Sequence, residues 1–105
     1  RGKFDELCAY LVWELKFRYS QIKNTLVLSY LPYKKADFVL PKYFDDSVYL
    51  LEKRVPPRFA IPHTNRRMVD LADYIVSGVN HDHGGAFAAC NYARNRRKTI
   101  ISIYD

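Results

Sequence analysis

The segment from Asn80 to Gly85 carries the densest set of chemically active side chains in the sequence. Its histidines, His81 and His83, are two residues apart, so on a strand both imidazoles would face the same way and could hold a metal. No C-x-x-C pair is present to complete a zinc site, and the two glycines Gly84 and Gly85 are typical of a turn. We therefore interpret the segment as a polar turn with solvated histidines, and we expect neither a metal nor a cofactor.

Cys8 lies near the start of a predicted helix, where the helix dipole activates a thiol as a nucleophile. Together with His81 or His83 it would form the pair of groups that a thiol protease uses. Cys8 also shares a helix face with Leu11 and Leu15, and a small apolar cysteine on such a face usually belongs to the core. A structural role is therefore the preferred interpretation, and a thiol protease using Cys8 is the third functional hypothesis.

Four cations stand within five residues near the end of the chain: Arg94, Arg96, Arg97 and Lys98. They fall between two predicted strands, so they would occupy the tip of a hairpin. A basic tip of this kind can contact phosphates, with an affinity that depends on salt. RNA or DNA binding by a small basic domain is therefore the second hypothesis. A solvated charged turn explains the same residues equally well.

The composition is that of a globular protein of one domain. The chain has 105 residues, enough for a single domain spanning 1–105, and its 49% apolar and 27% charged residues are ordinary for a globular protein. No run approaches the roughly 18 apolar residues of a membrane span, so no membrane partner is expected.

The formal net charge of +6 favours anionic partners. Cys8 and Cys90 are expected to be reduced thiols of an intracellular protein, in the cytoplasm or the nucleus.

The apolar pattern predicts one or two helices followed by many short strands, the second helix being indicated only by the spacing of apolar residues at 68–75. The first helix begins near Asp5 and has about four turns, with its apolar residues three and four positions apart. Strands are predicted at 25–31, 36–40, 47–51, 74–79, 86–92 and 99–104. The prolines Pro56, Pro57 and Pro62 indicate a loop, and residues 93–98 have the length and polarity of a hairpin turn. The predicted fold is α+β, with the N-terminal helix packed on a mostly antiparallel β-sheet.

Residues 25–105 resemble, in order and spacing, the C-terminal part of the catalytic domain of the ubiquitin-specific protease family. The first blocks of the resemblance read T-L-V-L-S-Y-L-P-Y at 25–33, D-F-V-L-P at 37–41 and F-D-D-S-V-Y-L at 44–50. The later blocks read Y-I-V-S-G-V-N-H at 74–81, G-G-A-F-A-A at 84–89 and S-I-Y-D at 102–105. The resemblance implies the papain-like β-scaffold of that family.

The departures from the family pattern imply a scaffold without its chemistry. Ala86 stands where the family has its catalytic histidine, and alanine cannot accept a proton. Asp105 matches the residue that orients this histidine, and the segment that carries the nucleophilic cysteine is absent from the sequence. The chain is then either a complete domain or the C-terminal portion of a larger one.

The first hypothesis is therefore a catalytically incomplete ubiquitin-protease-like domain that acts by binding a protein, such as ubiquitin or a subunit of a larger assembly. The resemblance places its contact surface on the strand ends and loops. The expected contact residues are Tyr33, Asn80, His81, His83, Gly84, Gly85 and Phe87.

Overall fold

The computed structural model describes residues 2–32, 34 and 38–104. Its elements are, in order, α1 (Lys3–Leu15), β1 (Thr25–Leu28), β2 (Asp46–Tyr49), α2 (Pro57–Leu71), β3 (Tyr74–Ser77), α3 (Gly85–Asn95) and β4 (Thr99–Ser102). The chain divides into two compact units, residues 1–49 and residues 50–105. The expectation of a single domain stays a prediction.

The first unit is organised around Asn24, which is buried. Its side-chain amide donates hydrogen bonds to the carbonyl of Ala9 in α1 at 3.1 Å and to the carbonyl of Tyr43 at 2.9 Å. Its backbone N–H donates to the carboxylate of Asp45 at 2.7 Å. These bonds bring α1 to the chain that enters β2, and β2 then pairs in parallel with β1, with Thr25 opposite Asp46.

In the second unit, helix α3 connects two parallel strands. Strands β3 and β4 pair in register from Tyr74–Thr99 to Ser77–Ser102, and α2 and α3 are packed together. The buried residues of this unit lie mainly on the two helices: Ala60, Thr64, Val69, Cys90 and Ala93. The unit is therefore a β–α–β crossover with a second helix against it.

The predicted α+β class is confirmed, whereas the predicted antiparallel pairing is wrong, because both strand pairs are parallel. The helix near Asp5 is confirmed as α1, and the strands predicted at 25–31, 47–51, 74–79 and 99–104 are present in shorter form. The strand predicted at 36–40 lies partly outside the described residues, and 38–40 are not in a strand.

The strand predicted at 86–92 is wrong, because these residues lie inside α3. Ala86, Ala88 and Ala89 give the segment a high helix propensity, and this outweighs the apparent alternation of its side chains. A parallel pair of strands also needs a long crossover between them, which α3 supplies. The strand was one of the elements on which the resemblance to ubiquitin-specific proteases depended.

The hairpin turn predicted at 93–98 is also wrong, because this segment ends α3 in a Schellman motif. The N–H of Lys98 donates to the carbonyl of Ala93 and the N–H of Arg97 to the carbonyl of Arg94, both at 3.0 Å. Arg97 has the left-handed φ of 58° that this motif requires. The four cations therefore belong to a helix end rather than to a hairpin tip.

The proline-rich stretch predicted as a loop forms the start of α2 instead. Pro57 occupies the first helical position, where a missing N–H has no cost and the fixed φ of proline suits a helix. Pro62 lies within α2. Pro57 therefore marks the start of α2, and Pro62 does not end the helix.

Candidate functional site

The connection from β3 to α3 lies where ligands bind in parallel α/β structures. Because β3 and β4 are parallel, their carboxyl ends lie at the same edge of the small sheet. Ligand sites in such sheets are found outside this edge. An open crevice of about 630 Å³ is present there, lined by Val79, Asn80, His81, Asp82 and Tyr104.

Gly84 shapes the start of α3. It is the N-cap residue, with φ 93° and ψ 177°, a conformation that is essentially restricted to glycine. Its carbonyl accepts the N–H of Ala88 at 3.0 Å, and no side-chain hydrogen bond caps this end of the helix. The N–H groups of the first turn, at Gly85, Ala86 and Phe87, have no carbonyl partner within the helix and carry its positive partial charge.

His81 lies beside this helix start. A Cβ atom built on Gly84 would be 3.7 Å from the Nε2 atom of His81, and the rings of His81 and His83 are 5.3 Å apart. The Nδ1 atom of His81 is 3.3 Å from the side-chain oxygen of Asn80. Both histidines are exposed, and the described part of the chain has no group of three or more histidine, cysteine or acidic side chains able to hold a metal.

A groove of about 280 Å³ lies between α2 and α3 and ends at the same helix start. Residues that line it include Asn65 and Arg66 from α2 and Gly85, Ala88, Ala89 and Tyr92 from α3. The guanidinium carbon of Arg66 is 5.8 Å from the centre of the Tyr92 ring. Within residues 2–32, 34 and 38–104, Arg66 has no salt bridge to a carboxylate. Arg66, which is exposed, and Gly85, the first residue of α3, therefore line one groove, with Arg66 at Tyr92, about two helical turns from Gly85.

Three of the four cations predicted to bind nucleic acid have partners within the second unit. The Nε atom of Arg96 is 3.2 Å from the carboxylate of Asp70, and Arg94 donates to the side-chain oxygen of Asn91 at 2.9 Å. The ammonium group of Lys98 donates to two backbone carbonyls at the end of α2, those of residues 70 and 72, at 3.2 and 3.0 Å. The contacts of Arg96 and Lys98 hold the end of α3 to the end of α2, whereas the contact of Arg94 lies within α3. Nucleic-acid binding by this segment stays a prediction.

The residues predicted from the protease resemblance have different positions. Ala86 is exposed in the first turn of α3, and Phe87 beside it is half-buried. Tyr33 and Asp105 lie outside the described residues. Asn80, His81, His83, Gly84 and Gly85 form the β3–α3 connection already described.

The cysteines do not have the surroundings of a catalytic thiol. Burial raises the pKa of the Cys8 thiol, and the nearby carboxylate of Asp5 raises this pKa further. A raised pKa lowers the fraction of thiolate, which is the reactive form. Cys8 is half-buried in α1 and Cys90 is buried in α3, both as free thiols. A thiol protease using Cys8 is therefore disfavoured.

The sequence analysis missed Asn65, Arg66 and Tyr92. The first two lay in a stretch interpreted as irregular, and Tyr92 in a segment interpreted as a strand. The available signal was the spacing of Ala60, Thr64 and Met68, which recurs every four residues as on one face of a helix.

Comparison with protein-family models, curated proteins and solved structures gave no match for this chain. No helix in the described part of the chain has the length and apolar character needed to cross a membrane.

Proposed function

We propose that residues 50–105 bind a small molecule through its phosphate group, at the amino end of α3. The observation that carries this proposal is the groove in which Arg66 and Gly85 are both lining residues. It combines the positive end of a helix with a side-chain cation, Arg66, that has no carboxylate partner among the described residues. Both features attract the same kind of group, a compact anion with several acceptor oxygens.

The backbone of the connection supports this proposal. The glycine-only conformation of Gly84 lets the connection from β3 enter α3 without a side chain over the helix end. Since no side chain caps the helix, the N–H groups of its first turn are available to phosphate oxygens. His81 is close enough to the helix start to donate a further hydrogen bond to the same anion.

The two hypotheses from the sequence remain predictions with less support. Ubiquitin binding was inferred from a resemblance that required a strand at 86–92, where the chain is helical. RNA or DNA binding was inferred from the 94–98 cluster, in which Arg94, Arg96 and Lys98 have partners within the unit. The residues predicted to bind protein at 80–85 are instead the residues that shape the proposed phosphate site.

The test is titration of the full chain with inorganic phosphate by calorimetry, at constant ionic strength and pH. We expect saturable binding with one site per chain. Arg66→Gln removes the cation from the groove and is expected to weaken binding by roughly 10- to 100-fold, the effect of losing one charge-assisted hydrogen bond.

Arg67→Gln is the matched control, because Arg67 is the next residue of α2, is exposed and carries the same charge. It is expected to change the affinity less than about twofold, which is the range of a surface charge screened by salt. Equal losses of affinity in Arg66→Gln and Arg67→Gln would show that phosphate binding depends only on the net charge of the chain, and this would contradict a site at Arg66. Titration without saturation in the parent chain would contradict the proposal directly.

A further inference from the structure

Helix α1 has apolar side chains on two opposite sides. The side with Ala9, which is buried, and Trp13, which is half-buried, packs on the rest of the first unit. Three leucines lie two residues away from these positions, which is about 200° around a helix. Leu7, Leu11 and Leu15 are therefore on the side of α1 that faces away from its own unit.

These three leucines form one exposed surface, which we call the leucine stripe. The exposed fractions of Leu7, Leu11 and Leu15 are 50%, 48% and 46%. Because they are four residues apart, they follow one another along α1. A surface helix normally has one apolar side, which packs on its own fold, and a polar side that faces water. A second apolar side on α1 therefore indicates a further partner.

We propose that the leucine stripe is covered by the same stripe of a second copy of the chain, with the two α1 helices antiparallel. The proposal concerns the first unit and is independent of phosphate binding by the second. A two-fold axis at Ala9, the midpoint of α1, sets Leu7 of one copy opposite Leu11 of the other. Leu15 then lies beside Phe4 of the other copy, so that apolar side chains meet along the whole helix.

The charges beside the leucine stripe favour this antiparallel arrangement. Lys3 and Glu14 are eleven residues apart, close to three full helical turns, and so lie on the same flank of α1. The two-fold axis brings equal flanks together, which places Lys3 of each copy next to Glu14 of the other. A parallel pair would instead place lysine next to lysine and glutamate next to glutamate.

Both charges are available to a second copy. Lys3 and Glu14 are exposed, and among the residues that the structure describes neither has a salt bridge. The carboxylate of Glu14 accepts a hydrogen bond from the hydroxyl of Tyr10 at 2.6 Å through one of its two oxygens. This bond orients the carboxylate and leaves its other oxygen for a cation.

The test is the mass of the full chain by sedimentation equilibrium, from about 1 to about 500 µM, because a surface smaller than a standard interface gives weak association. We expect the mass to rise with concentration from 12.4 kDa toward twice this value. Leu11→Glu puts a charge in the middle of the leucine stripe and should weaken association at least roughly tenfold. A mass that stays at 12.4 kDa over this range would overturn the inference and assign the stripe to a different protein.

Leu71→Glu is the matched control. Leu71 is the last residue of α2, is 58% exposed and receives the same charge. This variant should change the dissociation constant of the dimer less than about twofold, the range of a surface charge screened by salt. Equal weakening in Leu11→Glu and Leu71→Glu would show that association does not depend on the leucine stripe, and this would contradict the inference.

Exchange of the two charges tests the direction of the pairing. Lys3→Glu alone and Glu14→Lys alone each place like charges side by side in an antiparallel pair, and each should weaken association roughly 2- to 10-fold at low salt. The double variant with both substitutions restores opposite charges and should recover the affinity of the parent chain. A double variant that associates more weakly than either single variant would overturn the antiparallel pairing.

A measurement on the parent chain does not depend on how the variants fold. In a mixture of ¹³C-labelled and unlabelled chains, the methyl groups of Leu7 should show intermolecular nuclear Overhauser effects to those of Leu11. Effects between the Leu15 residues of two copies would indicate a parallel pair, and effects confined to the second unit would indicate a different surface. Either result would overturn the inference.

Discussion

The paired substitutions Gly84→Ala and Gly85→Ala test the backbone geometry at the start of α3. Gly84 has φ 93° and ψ 177°, a region in which an alanine costs about 1–3 kcal/mol. Gly85 has no atom within 4 Å of an added Cβ and lies inside the helix, so alanine there should stabilise the chain by about 0.4–1 kcal/mol, by restricting the unfolded state. The two variants should therefore differ by about 1.4–4 kcal/mol in the free energy of unfolding.

Urea unfolding followed by circular dichroism measures this difference. For an m-value of about 1.5 kcal/mol per molar urea, the two midpoints should lie about 1 to 2.7 M apart, with Gly84→Ala the lower. The parent chain should fall between them. Coinciding midpoints, or a lower midpoint for Gly85→Ala, would refute the assignment of the strained position to Gly84 and with it the geometry of the proposed site.

Three further predictions concern the two units. Arg97→Gly should raise the free energy of unfolding by about 1 kcal/mol, because glycine adopts the left-handed conformation of the Schellman motif without strain; a lower urea midpoint would contradict the motif. Asn24→Leu should lower the free energy of unfolding by about 2 kcal/mol, because the carbonyls of Ala9 and Tyr43 lose their hydrogen-bond donor. The same substitution at an exposed position, Asn91→Leu, is the control and should lower the free energy of unfolding less. Hydrogen bonds from Lys16 and from the Asn24 N–H lower the pKa of Asp45, and those from Lys23 and Thr25 lower the pKa of Asp46. Their stabilisation is therefore complete above the unfolded-state pKa of about 3.9 and is lost as the pH falls below it. Urea midpoints between pH 5 and pH 2.5 should show this loss, and the loss should be smaller in Asp45→Asn.

The three- and four-residue spacing of apolar residues located α1. Short apolar runs located the four strands, although similar runs also predicted a strand at 86–92, where the chain is helical. The strand directions were not predictable in the same way. Whether β3 and β4 run parallel depends on the element between them, and α3 was mistaken for a strand. Its alanines were the correct signal, and the apparent alternation around Phe87 was the misleading one.

The site was partly predictable for a similar reason. The polar residues and glycines at 80–85 identified the β3–α3 connection, because such residues are consecutive in the sequence. Arg66 and Gly85 are 19 positions apart, and they reach one groove only because α2 packs against α3. Because the stretch with Pro57 and Pro62 was interpreted as a loop, α2 was not predicted. Without α2, there was no reason in the sequence to expect Arg66 and Gly85 in one groove.

The most direct test of the phosphate site is a titration of the ¹⁵N-labelled full chain with inorganic phosphate, followed by amide chemical shifts at constant ionic strength. The account predicts saturable shifts that are largest for the backbone N–H groups of Gly85, Ala86 and Phe87 and for the side-chain Nε–H of Arg66. Shifts confined to residues 94–98, or shifts that grow linearly without saturation, would contradict it.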